Sequence, residues 1–177
     1  VSEILRLTTS ERTRLAHLIP EIVNGRGPVF ASVGAESTAQ AVTWAKEAEA
    51  SGNDALMAIP PTLTGLLEQT LLDYFIALAE ATDLPLIVQD ASAYVGQAIP
   101  LDVLVKLLDQ FGPDKILFKP EAAPLGPNLS ALRDATQGVA KIFEGSGGIM
   151  LIDSFRRGII GTMPGMDLLD GIIEVWR

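Results

Sequence analysis

Six short runs that stay largely apolar instead of alternating, each followed by a stretch of helical periodicity, restrict this chain to very few folds. The runs cover residues 29–33, 55–59, 86–88, 116–118, 140–143 and 159–163. Successive side chains of a strand point to opposite sides of its sheet, so an all-apolar strand must be covered on both faces. Parallel strands need a long crossover, and the helical stretches between the runs supply it. The helices read from the pattern are 10–23, a segment capped by Ser37 or Thr38 and stopped by Gly52, 67–81, a segment after Pro100 to Phe111, 129–136 with Asn128 as cap, 149–157 before Gly158, and 166–176. The order predicts an α/β protein: a helix, then strand–helix units around a parallel sheet. Two architectures satisfy it, an open doubly wound sheet and an eight-stranded barrel of which only part is present. No low-complexity linker or change of composition divides the chain, so a single domain over 1–177 is expected. Both ends look cut, because the opening helix follows no strand and the chain stops within helical sequence.

Composition narrows the function. With 177 residues, 48% of them hydrophobic, the chain can build a real core. No apolar stretch approaches the roughly 20 residues of a membrane-spanning helix, and no membrane partner is expected. A formal net charge of −9 opposes binding to phosphate backbones, which depends on basic groups, so nucleic acid is not an expected partner either. The lack of cysteine rules out disulfides, thiolate nucleophiles and thiolate metal sites, and suits a reducing, cytoplasmic setting. The one histidine, His17, argues against a multi-histidine metal site and reads as a surface or packing residue of the first helix.

In parallel α/β folds the reactive groups gather at the carboxyl ends of the strands. Those positions are Gly34, Pro60 with Pro61, Gln89 with Asp90, Lys119 with Glu121, Glu144 with Gly145 and Ser146, and Thr162 with Met163. Lys119 is the one cation in the set. It ends the run Ile116, Leu117, Phe118, and a primary amine at the tip of a buried strand loses hydration, which favours its neutral, nucleophilic form. Facing a 2-oxo acid, such an amine attacks the carbonyl, expels water and leaves an iminium that serves as an electron sink. A strand-end lysine that snorkels to solvent is the alternative. Glu121 shares a strand face with Lys119 if the strand continues past Pro120, and Glu121 or Glu144 is placed either to shuttle protons or to hold Lys119 in a plain ion pair. Asp90 reads as a turn former or as an acid of the pocket. Gly145, Ser146, Gly147 and Gly148 precede a predicted helix whose free amides suit a carboxylate or phosphate, and the segment Gly161 to Gly165 is placed to form the neighbouring wall. The glycines fit neither a dinucleotide fingerprint nor a phosphate-binding loop with its lysine.

Several segments, taken in order, resemble the dihydrodipicolinate synthase and N-acetylneuraminate lyase family of class I aldolases. Leu7, Thr8 and the Glu11-Arg12 pair are similar to its Leu-Thr and Glu-Arg elements. Val33, Gly34, Ala35, Ser37, Thr38 and Ala39 look like its strand-to-helix turn, and Asn53 to Pro61 looks like its proline-proline strand. The likeness extends through Leu84, Pro85, Leu86, Ile87 and Val88 and places Lys119 at the family's Schiff-base lysine, at the end of the sixth barrel strand. The resemblance implies a (β/α)8 TIM barrel of which this chain holds strands three to eight. It also implies pyruvate or a pyruvate-like 2-oxo acid as substrate, no metal or organic cofactor, and a homo-oligomer built as a dimer of dimers.

The chain departs from the family where substrate is decided. The family's tyrosine proton relay falls on Gln89, and the arginine that commonly binds the second substrate's carboxylate falls near Tyr94. A glutamine does not relay protons as a phenol does, so Glu121, Asp90, Glu144 or water must take over. The Gln89-Asp90 pair and the Gly-Thr-Met-Pro-Gly segment look more like the branch of 2-keto-3-deoxy sugar acid dehydratases and aldolases. The implied activity is a lysine-dependent lyase with Lys119, Gln89 and Glu121 at the chemistry. Asp90, Tyr94, Glu144, Gly145, Ser146, Thr162 and Met163 are expected around the substrate. Two other readings are a synthase condensing pyruvate with aspartate semialdehyde, and a catalytically silent barrel that binds an oxo acid or serves in assembly.

Overall fold

The computed structural model describes residues 4–165, 167 and 169–177. A short 3-10 turn (Ile4–Arg6) leads into α1 (Thr9–Val23). Thr8 and Glu11 cap α1 reciprocally: the Thr8 hydroxyl accepts from the Glu11 N–H at 3.4 Å, and the Glu11 carboxylate accepts from the Thr8 N–H at 2.8 Å. The chain then alternates β1 (Phe30–Ser32), α2 (Thr38–Ala50), β2 (Ala55–Ala58), α3 (Glu68–Glu80), β3 (Leu86–Asp90), α4 (Leu101–Phe111), β4 (Ile116–Pro120), α5 (Leu125–Ala135), β5 (Lys141–Glu144), α6 (Leu151–Arg156), β6 (Gly161–Thr162) and α7 (Leu169–Trp176).

Every pairing is parallel and the spatial order is β1-β2-β3-β4-β5-β6, the order of the sequence. A doubly wound sheet reverses its strand order at a switch point, and this one does not. It also curls. In a flat sheet β1 and β5, four spacings apart, would lie about 19 Å from each other. The Phe30 and Phe143 rings instead meet with centroids 6.1 Å apart. The six strands are therefore a half-barrel with helices on its outer face.

Side-chain alternation separates two layers. Leu56, Ala58, Leu86, Val88, Ile116, Phe118 and Ile142 face outward and pack with Ala41, Ala45, Leu71, Phe75, Leu78, Val103, Leu107, Leu129 and Leu132 of the helices in one core. The alternate positions, including Ile87, Gln89 and Lys119, face inward. At the top of β1, a Cβ on Gly34 would stand 3.1 Å from the Ile59 carbonyl oxygen, so a larger residue there would push these two strand ends apart by a few tenths of an ångström.

Arg12 joins α1 to the same place. Its guanidinium is buried, donates to the carbonyls of Ser32 (3.0 Å) and Gly34 (3.2 Å), and lies 3.2 Å from the centre of the Trp44 ring. Burial lowers its pKa to about 10. Arg12→Leu strands both carbonyls and is expected to cost about 3 kcal/mol, read as a lower urea midpoint; Arg12→Lys recovers only part, because an ammonium cannot fork between them.

Several element boundaries differ from expectation. α5 begins at Leu125 with Pro124 in the cap position, not after Asn128. Pro127 is tolerated in the first turn because its missing N–H has no partner there anyway, and Asn128 instead donates its amide to the Ala122 carbonyl at 3.0 Å. α6 is confined to Leu151–Arg156, since Gly147 and Gly148 take left-handed φ values of 74° and 97° before it. β6 is shorter than 159–163, although Ile160 N–H donates to Ile142 O and Met163 N–H to Glu144 O, both at 2.9 Å, on either side of it. The last helix starts at Leu169; of the residues expected before it, Met166 and Leu168 lie outside the described residues.

Candidate active site

β3 and β4 pair with Gln89 opposite Lys119 and Asp90 opposite Pro120. Alternation sends the first pair inward and the second outward. Pro120 does not end the extended chain: the Glu121 N–H donates to the Asp90 carbonyl at 2.8 Å, which returns Glu121 to the Lys119 face. Lys119, Glu121 and Gln89 are all buried. The Lys119 ammonium donates to Glu121 Oε1. Glu121 Oε2 accepts from Gln89 Nε2 at 3.0 Å and from the Tyr94 hydroxyl. One carboxylate thus gathers a lysine, an amide and a phenol from β3, β4 and the loop after β3.

These groups wall a cavity of about 340 Å³, closed by Ser32, Met57, Ile59, Gly145, Gly147, Met163, Pro164 and Gly165. Burial shapes its electrostatics. It lowers the Lys119 pKa to about 8, and the negative charge of Glu144 opposes the shift. It raises the Glu121 pKa to about 6; the Gln89 hydrogen bond works against this, while the charges of Glu144 and Asp90 add to it. A pair whose pKa values are driven toward each other is suited to exchange protons near neutrality.

Gly145 explains how Glu121 fits. A Cβ at that position would fall on the Glu121 side chain, 2.5 Å from Cγ and 2.7 Å from Cδ. Gly145 and Met163 both line the cavity.

Four of the residues expected around the substrate hold hydrogen bonds within the strand-end loops. Asp90 is buried but turned outward, with its oxygens accepting from the N–H groups of Ser92 (2.9 Å) and Ile99 (2.8 Å). It braces the loop after β3, as the turn-forming alternative has it, and does not line this cavity. Glu144 is fully buried; its oxygens accept from the Ser146 N–H at 2.6 Å and the Thr162 hydroxyl at 2.7 Å. Ser146 Oγ in turn accepts from Met150 N–H at 2.9 Å. Glu144, Ser146 and Thr162 thus brace the loop behind the cavity wall, and Glu144 reaches Lys119 only through its charge. At the start of α6, a helix of 6 residues, the Ser146 amide is taken by Glu144.

Ser32, Met57 and Ile59 also line the cavity, beside Pro164 and Gly165 of the segment Gly161 to Gly165. The signal for Ser32 was there, as the one hydroxyl in the first apolar run, and it pairs in register with Met57. Among the described residues no group of three or more His, Asp or Glu is clustered as a metal ion requires, and no helix is long and apolar enough to cross a membrane.

Comparison with known proteins gives the half-barrel a setting. The Dihydrodipicolinate synthetase family matches residues 2–114, from the start of the chain through α4. A 4-hydroxy-tetrahydrodipicolinate synthase from Gluconacetobacter diazotrophicus is 38% identical over 82 residues, covering 46% of this chain and 28% of the relative. A probable 2-dehydro-3-deoxy-D-pentonate aldolase, YjhH, from Escherichia coli is 33% identical over 105 residues, covering 59% of this chain and 35% of the relative. The crystal structure of the chloride-inhibited dihydrodipicolinate synthase from Acinetobacter baumannii, complexed with pyruvate, superposes with a TM-score of 0.88 at 27% identity, over 98% of this chain and 59% of that one. This chain therefore spans only part of the length of the relatives it matches. A family match over most of the sequence, on a half-barrel that superposes almost from end to end, makes this chain a member of the dihydrodipicolinate synthetase family.

Proposed function

We propose that the protein is a lyase, an aldolase or dehydratase, that forms a Schiff base between Lys119 and a pyruvate-like or 2-keto-3-deoxy sugar acid. The observation that carries the reading is the buried Lys119 amine on the inner face, its pKa lowered to about 8, at a cavity shared with Glu121 and Gln89. The neutral amine attacks the C2 carbonyl, and loss of water leaves an iminium. Glu121 then takes a proton from the substrate: either from C3, whose C–H pair flows into the iminium to give an enamine, or from the C4 hydroxyl, whose O–H pair forms a carbonyl as the C3–C4 bond breaks and its pair gives the enamine. Gln89 holds the Glu121 carboxylate in reach. Met163 and Gly145 border the substrate. In this reading residues 1–177 are one part of a single barrel domain, and the whole protein works as a cytoplasmic homo-oligomer.

The similarity to a probable 2-dehydro-3-deoxy-D-pentonate aldolase supports the sugar-acid class. A second reading, condensation of pyruvate with aspartate semialdehyde, is favoured by the relatives named 4-hydroxy-tetrahydrodipicolinate synthase. Gln89, at the end of β3 where the resemblance puts a tyrosine, weighs for the first. The test is borohydride reduction with pyruvate or a 2-keto-3-deoxy sugar acid, followed by peptide mass mapping. A secondary-amine adduct on Lys119 is expected. No adduct with any such acid overturns the proposal and leaves Lys119 as the ammonium of a structural ion pair.

A further inference from the structure

Tyr94 is the cavity side chain that reaches both water and the buried charges. It stands in the loop between β3 and α4, where Tyr94 N–H (3.0 Å) and Val95 N–H (2.9 Å) both donate to the Ala91 carbonyl and close a turn. More than half of the residue is exposed (57%), whereas the Glu121 to which its hydroxyl donates is 8% exposed. Glu121 has three donors: Lys119 on Oε1, and Gln89 and Tyr94 on Oε2. Lys119 is consumed when it becomes an iminium, and an amide neither gives up nor takes a proton at ordinary pH. The neighbouring carboxylates offer no other route, because Asp90 and Glu144 have their oxygens engaged elsewhere. A phenol can accept a proton on its oxygen while releasing its own.

We propose that Tyr94 carries protons between Glu121 and solvent while the Lys119 imine and enamine interconvert, a role that rests on the Schiff-base reading above. In the forward step the C3–H bond breaks, its proton goes to Glu121, and its electron pair forms the C2–C3 double bond as the C=N pair moves onto nitrogen. Glu121 then passes that proton to the Tyr94 oxygen while the Tyr94 hydroxyl proton leaves to water. The phenol is neutral before and after, and Glu121 is again a carboxylate. Tyr94 acts through Glu121 and sets the rate at which that carboxylate is recharged.

Pyruvate is a sufficient probe, because its methyl protons exchange with heavy water much faster through an enamine than by enolisation of the free acid, which a protein-free control subtracts. Two quantities are read in wild type and Y94F: the borohydride-trapped fraction at Lys119, and the rate of deuterium entry into the methyl group by proton NMR. Y94F is expected to trap pyruvate within twofold of wild type and to exchange at least about tenfold more slowly. The acid limb of its exchange profile should also move to higher pH, since Glu121 loses a donor that favours its ionised form. Unchanged exchange with normal trapping overturns the role of Tyr94 and leaves Lys119 untouched. Equal loss of trapping and exchange also overturns it, and shows that the phenol merely holds the pair in place. No adduct in the wild type overturns the Schiff-base reading, and this proposal with it.

Discussion

Lys119→Met is expected to eliminate borohydride-trapped adducts with every 2-oxo acid and to lower turnover by about four orders of magnitude or more, because the covalent intermediate is lost and not merely slowed. Lys119→Arg should do no better, since a guanidinium stays charged and is no nucleophile. The wild-type pH profile tests the cause. With the Lys119 pKa lowered to about 8, about one amine in ten is neutral at pH 7, against about one in three thousand for an ordinary lysine. Burial therefore raises the reactive fraction about 300-fold. The initial rate of adduct formation with limiting pyruvate should climb through pH 7 and level off above pH 8. A rate still climbing toward pH 10 would show a solvated, snorkelling lysine and remove the physical basis of the proposal. Below about pH 6, Glu121 is protonated and deuterium exchange should fall even where adducts still form.

What the sequence made legible follows from which interactions have a period. Unalternating apolar runs mark strands buried on both faces, and every such run lies on or beside a strand of the half-barrel. The Lys119–Glu121 pairing was legible for the same reason: residues two apart share a face, and Pro120 lacks only an N–H that the ladder does without. The choice between barrel and doubly wound sheet was not, because spatial strand order leaves no local trace; only the resemblance pointed to the barrel. Carboxylate roles were likewise hidden. Asp90 and Glu144 stand at strand ends like catalytic acids, yet each turns to a backbone N–H two residues on, Ser92 or Ser146, and a composition of loop residues does not announce which oxygen meets which amide. Tyr94 is expected around the substrate, near the position of the family's arginine; its hydrogen bond to Glu121 depends on how the loop after β3 folds back. α5 starts ahead of Asn128, which reads as its cap, because Pro127 in a first turn does not break a helix.

Removing both buried charges should stabilise the protein. In K119M/E121Q the urea midpoint at pH 7 is expected to rise, corresponding to about 2 kcal/mol, while E121Q alone falls below the double variant because it leaves the lysine charge buried without a partner. Linkage gives the sign. The folded-state pKa of Lys119 lies below its unfolded value, so between about pH 8 and 10.5 the unfolded chain binds more protons and stability increases with pH, by about 3 kcal/mol across that window. Glu121 is raised from 4.5 to about 6, so between those values the folded state binds more protons and stability decreases as pH rises, by about 2 kcal/mol. Both penalties are in force from pH 6 to 8, and the double variant should lose this dip in its stability profile. A double variant less stable than wild type at pH 7 would mean that the pair is a net structural asset, with nothing left for chemistry to explain. If the dip is present and vanishes with the charges, the fold carries Lys119 and Glu121 at a cost that packing does not require. Such a cost persists where a group is kept for what it does to a substrate, and this pair faces the cavity at the carboxyl ends of the strands.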